Sequence, residues 1–128
     1  MDWKLELIAL PVADADRSIA FYVDQLGWNL DHDHTVHESL RFVQITGPGS
    51  GCSIAFGPGL IQGEQPPIKT LQVVVTDIEA AHAHLVARGV QVSPIDDQPW
   101  GSFVYFEDPD GNAWAVQQTV PRATSTGA

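Results

Sequence analysis

Three histidines stand close together at positions 32, 34 and 37, interleaved with Asp31, Asp33 and Glu38. Imidazole and carboxylate groups at this spacing can serve as metal ligands, and His32 and His34 share a face if the stretch is extended. The same composition also suits a solvated, charge-rich loop between two strands, and that is the expectation for this segment. His82 and His84 lie two apart on a predicted helix and face different directions, as surface or packing residues do. Cys52, the single cysteine, has no evident base beside it and is expected to be a small buried apolar residue. There is no glycine-rich phosphate loop, and no serine stands in a nucleophile-elbow context. Trp100 could stack on a planar ring or a cation, or it could pack beside Pro99 to close a sheet edge. Trp3 and Trp114 are expected to pack, while Trp28 suits either role.

The elements that position these residues follow from periodicity and punctuation. Leu5 to Val12 has the pattern of a strand, and Asp14 then caps a helix with Asp16 in its first turn. Ile19, Phe21, Tyr22 and Leu26 fall at helical spacing, and Gly27 stops the helix. Trp28 to Leu30, Leu40 to Ile45 and Cys52 to Phe56 are strand candidates. Leu60 to Pro67 then forms a linker. The order now repeats: a strand from Thr70 to Val75, a cap at Asp77, a helix from Ile78 to Arg88 and a stop at Gly89. Strands follow at Val90 to Ser93, Phe103 to Phe106 and Ala113 to Thr119. Asp108-Pro109-Asp110-Gly111-Asn112 supplies a hairpin turn between the last two. Leu10 to Asp14 answers Val73 to Asp77 at an offset of about 63 residues, which suits a duplicated module rather than a solenoid.

The bulk numbers bound the function. With 128 residues and 44% hydrophobic content, the chain has the length and composition of one globular domain. A formal charge of −10, from 16 acidic and 6 basic residues, argues against nucleic acid, whose binding needs a positive footprint. An acidic surface would concentrate cationic small molecules, though the acids could equally serve solubility alone. No apolar run approaches the roughly 20 residues of a membrane-spanning helix. The start, Met1-Asp2-Trp3-Lys4-Leu5-Glu6, alternates like a strand and does not resemble a signal peptide. One cysteine suits a reducing compartment, so a cytoplasmic location is expected.

Val12-Ala13-Asp14 with Arg17-Ser18, Phe21-Tyr22 and Leu26-Gly27 resembles the entry motif of the vicinal oxygen chelate superfamily. Phe106-Glu107-Asp108-Pro109-Asp110-Gly111-Asn112 resembles its exit motif. The superfamily includes glyoxalase I, extradiol dioxygenases, fosfomycin-resistance enzymes and bleomycin-resistance proteins, and the resemblance spans about residues 4–120. It implies an α+β fold of two tandem βαβββ modules whose mixed sheets curl into a cup, with pairing into homodimers. The expected organisation is a single domain over residues 1–121, with modules at about 3–59 and 68–120, and a disordered tail at 122–128.

Counting from the motifs, the resemblance puts the family's four metal-ligand positions at Leu7, Ala55, Thr70 and Ala115. These side chains cannot hold a divalent ion, and slipping the register to Glu6, Ser53 or Gln117 does not produce four good ligands together. No metal and no cofactor are therefore expected. The resemblance then implies a pocket lined by Leu7, Ala9, Ser53, Ala55, Thr70, Gln72, Ala113, Ala115 and Gln117, with Phe42 and Trp100 at the rim and His37 nearby. Such a lining suits a small, largely apolar ligand. The favoured function is a metal-independent binding protein of the bleomycin-resistance type, sequestering an aromatic or cationic natural product as an antibiotic-resistance device. The alternative is a metal-free enzyme (an isomerase, cyclase or lyase) using Tyr105 or His37, neither with a catalytic partner visible in the sequence. A metalloenzyme with displaced ligands such as His37 and Glu6 is the third possibility.

Overall fold

The fold is known from a computed structural model, which describes residues 1–123. It is α+β, and contacts divide the chain into two units: Met1–Ile68 with Asp108–Asn112, and Lys69–Glu107 with the chain from Ala113.

In the first unit, β1 (Leu7–Ala9) leads to α1 (Ala15–Ile19), which continues as a π-helical stretch over Ala20–Gln25. Strands β2 (Asn29–His37), β3 (Leu40–Thr46) and β4 (Ser53–Phe56) follow. The sheet order is β1-β4-β3-β2, with β1 parallel to β4 and the other pairs antiparallel. Asp14 caps α1 by accepting the Arg17 N–H at 3.1 Å. The widened helical turn closes with the Leu26 N–H on the Phe21 carbonyl at 3.0 Å, a five-residue step. Val43, Ile45, Ile54 and Phe56 are buried on one face of the sheet, and Ala15, Phe21, Tyr22 and Leu26 are the buried apolar residues of the helical segment and its cap. The Tyr22 ring lies 6.0 Å from Phe56 and 5.5 Å from Trp28, centroid to centroid. Burying each such side chain stabilises the fold by about 1.5–3 kcal/mol.

The second unit repeats the order with β5 (Leu71–Val74), α2 (Ile78–Ala87), β6 (Asp96–Gln98), β7 (Gly101–Glu107) and β8 (Ala113–Gln118). Its sheet order is β5-β8-β7-β6, with β5 parallel to β8. Asp77 caps α2 through the Ala80 N–H, and the Gln118 side chain accepts from the Ile78 N–H at 2.9 Å. Helix α2 packs on β7 and β8. Leu71, Val104, Phe106, Trp114 and Val116 are buried, and Trp114 stacks on Phe106.

The exit motif is a turn in which Asp108 is fully engaged. Its carboxylate accepts from the Tyr22 hydroxyl and the Asn112 amide, both at 2.8 Å, and from the backbone N–H groups of Asp110 and Asn112. Asp110 in turn accepts from the Ala13 N–H and from Arg17, and Asn112 donates to the Pro11 carbonyl. A role confined to the turn's own backbone is what the sequence suggested; the structure adds anchoring of the entry motif.

Several local expectations change. Strand β1 spans only Leu7–Ala9 rather than Leu5 to Val12, and Trp3, expected to pack, is 88% exposed. The histidine-rich segment is not a loop: β2 runs to His37, with register shifts between Leu30 and His32 and between Thr35 and His37, although every residue of it is exposed. It can stay extended because each polar side chain of an edge strand reaches water while its backbone pairs with β3. Val90 to Ser93 is not a strand; only Val92 makes an isolated bridge, to Phe106, and the strand forms at β6 instead. Cys52 is half-buried. Arg122, where the expected tail begins, pairs with Glu79 at 2.8 Å and Asp97 at 3.1 Å, and residues 124–128 of that tail lie outside the described residues.

Candidate functional site

Each sheet has one face of buried apolar side chains and a second face that is open only in part, since Ser53, Ala55 and Phe103 on it are buried. Residues paired across neighbouring strands point to the same face, so register assigns the open ones. In the first unit Leu7 pairs with Ser53 and Ala9 with Ala55, while Ala55 lies opposite Gln44. Phe42, two residues from Gln44, is on that face too, opposite His34. Ser53 is buried and engaged: Gln44 donates to its hydroxyl at 3.2 Å, and Thr46 and Ser53 share a hydroxyl hydrogen bond at 2.6 Å. Thr46 also bonds Asp31. His37 is exposed at the end of β2, where its Nδ1 accepts from the Ser39 N–H at 3.2 Å. The structure thus gathers Leu7, Ala9, Phe42, Ser53 and Ala55 on one surface and leaves His37 at its end.

In the second unit Gln72 pairs with Ala115, and Ala115 with Tyr105; Gln117 pairs with Phe103, and Phe103 with Asp96. This open face differs in character. Phe103 and Tyr105 stack with centroids 6.0 Å apart and planes 5° from parallel. Gln72 donates to Gln117 at 2.5 Å, and Gln117 donates to the Trp100 carbonyl at 3.1 Å. Trp100 stands in the β6–β7 turn with 64% of its surface exposed. The next residue must be small, because a Cβ on Gly101 would meet the Gln118 carbonyl oxygen at 2.6 Å and the Gln117 amide at 2.8 Å. Thr70 is exposed just ahead of β5.

Adjacent acids on β6 have opposite surroundings. Asp97 takes the Arg122 guanidinium and the Ser102 hydroxyl, and that cation first, then the hydroxyl, hold its carboxyl below the usual range. Asp96 accepts from Tyr105 at 3.1 Å and from Gln98 at 2.8 Å. Desolvation, and then the hydrogen bond to Asp96, push the Tyr105 hydroxyl above its ordinary range, so it stays protonated. The ring is 42% exposed, but its hydroxyl end is seated against Asp96. In the first unit Arg41 clamps Asp33 with two bonds of 2.9 Å and reaches Asp16 at 2.9 Å, which lowers the Asp33 carboxyl.

Sequence reasoning singled out Tyr105 only as an enzymatic suspect without a partner; the structure supplies Asp96. Phe103 and Asp96 were missed. The alternation of β7 carried the signal for Phe103, since it shares parity with Tyr105. Asp96 had none, because the strand was expected several residues earlier.

The donor set does not suit the family's metal. Leu7, Ala55 and Ala115 carry no donor atom, and Thr70 offers one neutral hydroxyl. Among the described residues no group of three or more His, Cys, Asp or Glu side chains converges. A surface cavity of about 380 Å³ lies elsewhere in the first unit, between Leu10–Ala13 and the loop from Gly57 to Pro67. None of the expected ligand-binding residues lines it, and Asp110 at its edge is already bonded to Ala13 and Arg17. No helix of the described residues is long and apolar enough to cross a membrane.

Comparison with known proteins agrees with this architecture. The structure is similar to that of TnmS3, an antibiotic-binding protein from Streptomyces sp. CB03234, with a TM-score of 0.81 and 28% identity over 92% of this chain and 97% of that one. It is also similar to a glyoxalase/bleomycin resistance protein/dioxygenase superfamily member from Sphaerobacter thermophilus, with a TM-score of 0.79 and 26% identity over 91% and 97% of the two chains. An uncharacterized protein of Shewanella frigidimarina is 30% identical over 121 residues, covering 87% of this chain and 90% of the relative. The model of the Glyoxalase/Bleomycin resistance protein/Dioxygenase superfamily matches residues 4–116, and the chain belongs to that family.

Proposed function

We propose that the protein binds a small aromatic or cationic natural product without a metal and sequesters it, as an antibiotic-resistance protein acting in the cytoplasm as a homodimer. The observation that carries this reading is the open face of the second unit. There the exposed Tyr105 ring, backed by the buried Phe103, offers flat apolar surface beside the Gln72–Gln117 amide pair, and Trp100 stands exposed in the adjoining β6–β7 turn. Aromatic surface with a few oriented polar groups is what holds small, largely apolar ligands. Ala115 leaves room on this face, and on the first unit Leu7, Ala9 and Phe42 share one face with the buried Ser53 and Ala55. The likeness to TnmS3 supports ligand capture rather than turnover. A thermal-shift screen against planar aromatic and cationic antibiotics tests it; the expected result is a raised melting temperature for at least one, and no shift for any would overturn it. Elemental analysis of protein purified without chelator tests metal independence, which one tightly held ion per chain would refute.

Tyr105 favours a second reading. Its hydroxyl is paired with the Asp96 carboxylate, so a metal-free isomerase, cyclase or lyase would move a proton through that Tyr105–Asp96 pair. Chemical conversion of a bound ligand that disappears in Tyr105→Phe would decide for the enzyme.

A further inference from the structure

We infer that Asp96 is the charge-reading residue of the ligand surface, and that the ligand class is a planar aromatic cation whose protonated nitrogen meets the Asp96 carboxylate. The inference rests on the proposed ligand role of the second unit's open face and goes further by naming the polar contact and the charge of the ligand.

The basis is an asymmetry among the acids. Asp33, Asp97 and Asp110 each hold an arginine: Arg41, Arg122 and Arg17 respectively. Asp96 is half-buried on the open face, and among the described residues its carboxylate is met only by neutral donors, Tyr105 and Gln98. Each carboxylate oxygen accepts one bond from these donors and keeps acceptor capacity for another. The two donors also fix the carboxylate's orientation before any ligand arrives. A partly desolvated carboxylate without a counter-charge is stabilised by an incoming cation more than an exposed one is, because the pair is less screened. The phenol that orients Asp96 is that of Tyr105, whose ring stays exposed while its stacking partner Phe103 is buried, so the negative group sits at the edge of an aromatic face. Such faces attract both flat rings and positive charge. The formal charge of −10 raises the local concentration of cations as a whole, and Asp96 gives that general attraction a fixed point.

The test compares two nearly isosteric dyes at neutral pH by fluorescence titration: 9-aminoacridine, which is a cation, and acridine, which is neutral. Wild-type protein should bind the cation at least about tenfold more tightly, the scale of a hydrogen bond to a charged group. Asp96→Asn should remove that preference and leave acridine binding in place. Glu64→Gln, which removes an equal charge from an exposed loop, should leave the preference intact. Equal affinity of the wild type for both dyes would overturn the inference, as would a preference that survives in Asp96→Asn or vanishes in Glu64→Gln. The wild-type comparison needs no variant to fold. Failure of the wild type to bind either dye would count against the aromatic ligand surface itself, and so separates the failure of that reading from the failure of this one.

Discussion

The two units repeat one topology, yet their open faces do different things. On the first, hydroxyl and amide groups satisfy one another: Gln44, Thr46, Ser53 and Asp31 form a connected set beside Ala9 and Ala55. On the second, Trp100, Tyr105 and Val74 remain more than 40% exposed, and Asp96 lacks a cation among the described residues. The two units share their backbone pairing and a face of buried apolar side chains, which burial constrains. Their other faces differ, because an exposed side chain there answers to water or a ligand and not to a core. The four positions that the resemblance marks for metal ligands carry Leu7, Ala55, Thr70 and Ala115, none of them a carboxylate or an imidazole.

The sharpest way to break the contrast is to remove what the first unit cannot do without. Asp108→Ala would leave the buried Tyr22 hydroxyl, the Asn112 amide and two backbone N–H groups without their acceptor. Urea denaturation should show a loss of more than about 3 kcal/mol, since each buried orphan costs about 1–3 kcal/mol. Next in size is Trp100→Ala, expected to weaken a planar ligand about tenfold in a calorimetric titration with little effect on stability. The same truncation of Phe42, on the first unit's open face, should weaken it less; a reversed order would move the site to the first unit.

Arg41→Ala should cost at most about 1 kcal/mol at neutral pH, because its partners Asp33 and Asp16 are partly or largely exposed. The sign with pH is fixed. Asp33 is depressed in the fold, so its share of the stability is present above the ordinary carboxylate value of about 3.9 and is lost as pH falls through the lowered one. Melting curves of wild type and variant should accordingly converge in acid. The smallest effect is spectroscopic. Tyr105 should ionise above the ordinary tyrosine value of about 10, and Asp96→Asn should bring its ultraviolet titration back toward that value.

Where the sequence was legible, short-range physics was in charge. Asp14 and Asp77 act as caps because a carboxylate can reach an N–H three residues on whatever surrounds it. The exit turn was readable because its glycine and aspartates dictate local geometry. The extent of β2 was not, since its polarity suits a loop until pairing with β3 holds it extended.

The sequence by itself determined the duplicated order of elements, the helix caps, the turn between β7 and β8 and the absence of metal-binding side chains at four positions. Each depends on residue type at fixed local spacing. Only the tertiary structure decided that Asp97 faces Arg122 while its neighbour Asp96 faces Tyr105. Their side chains leave opposite faces of one strand, and which face opens to ligand is set by what packs on the other.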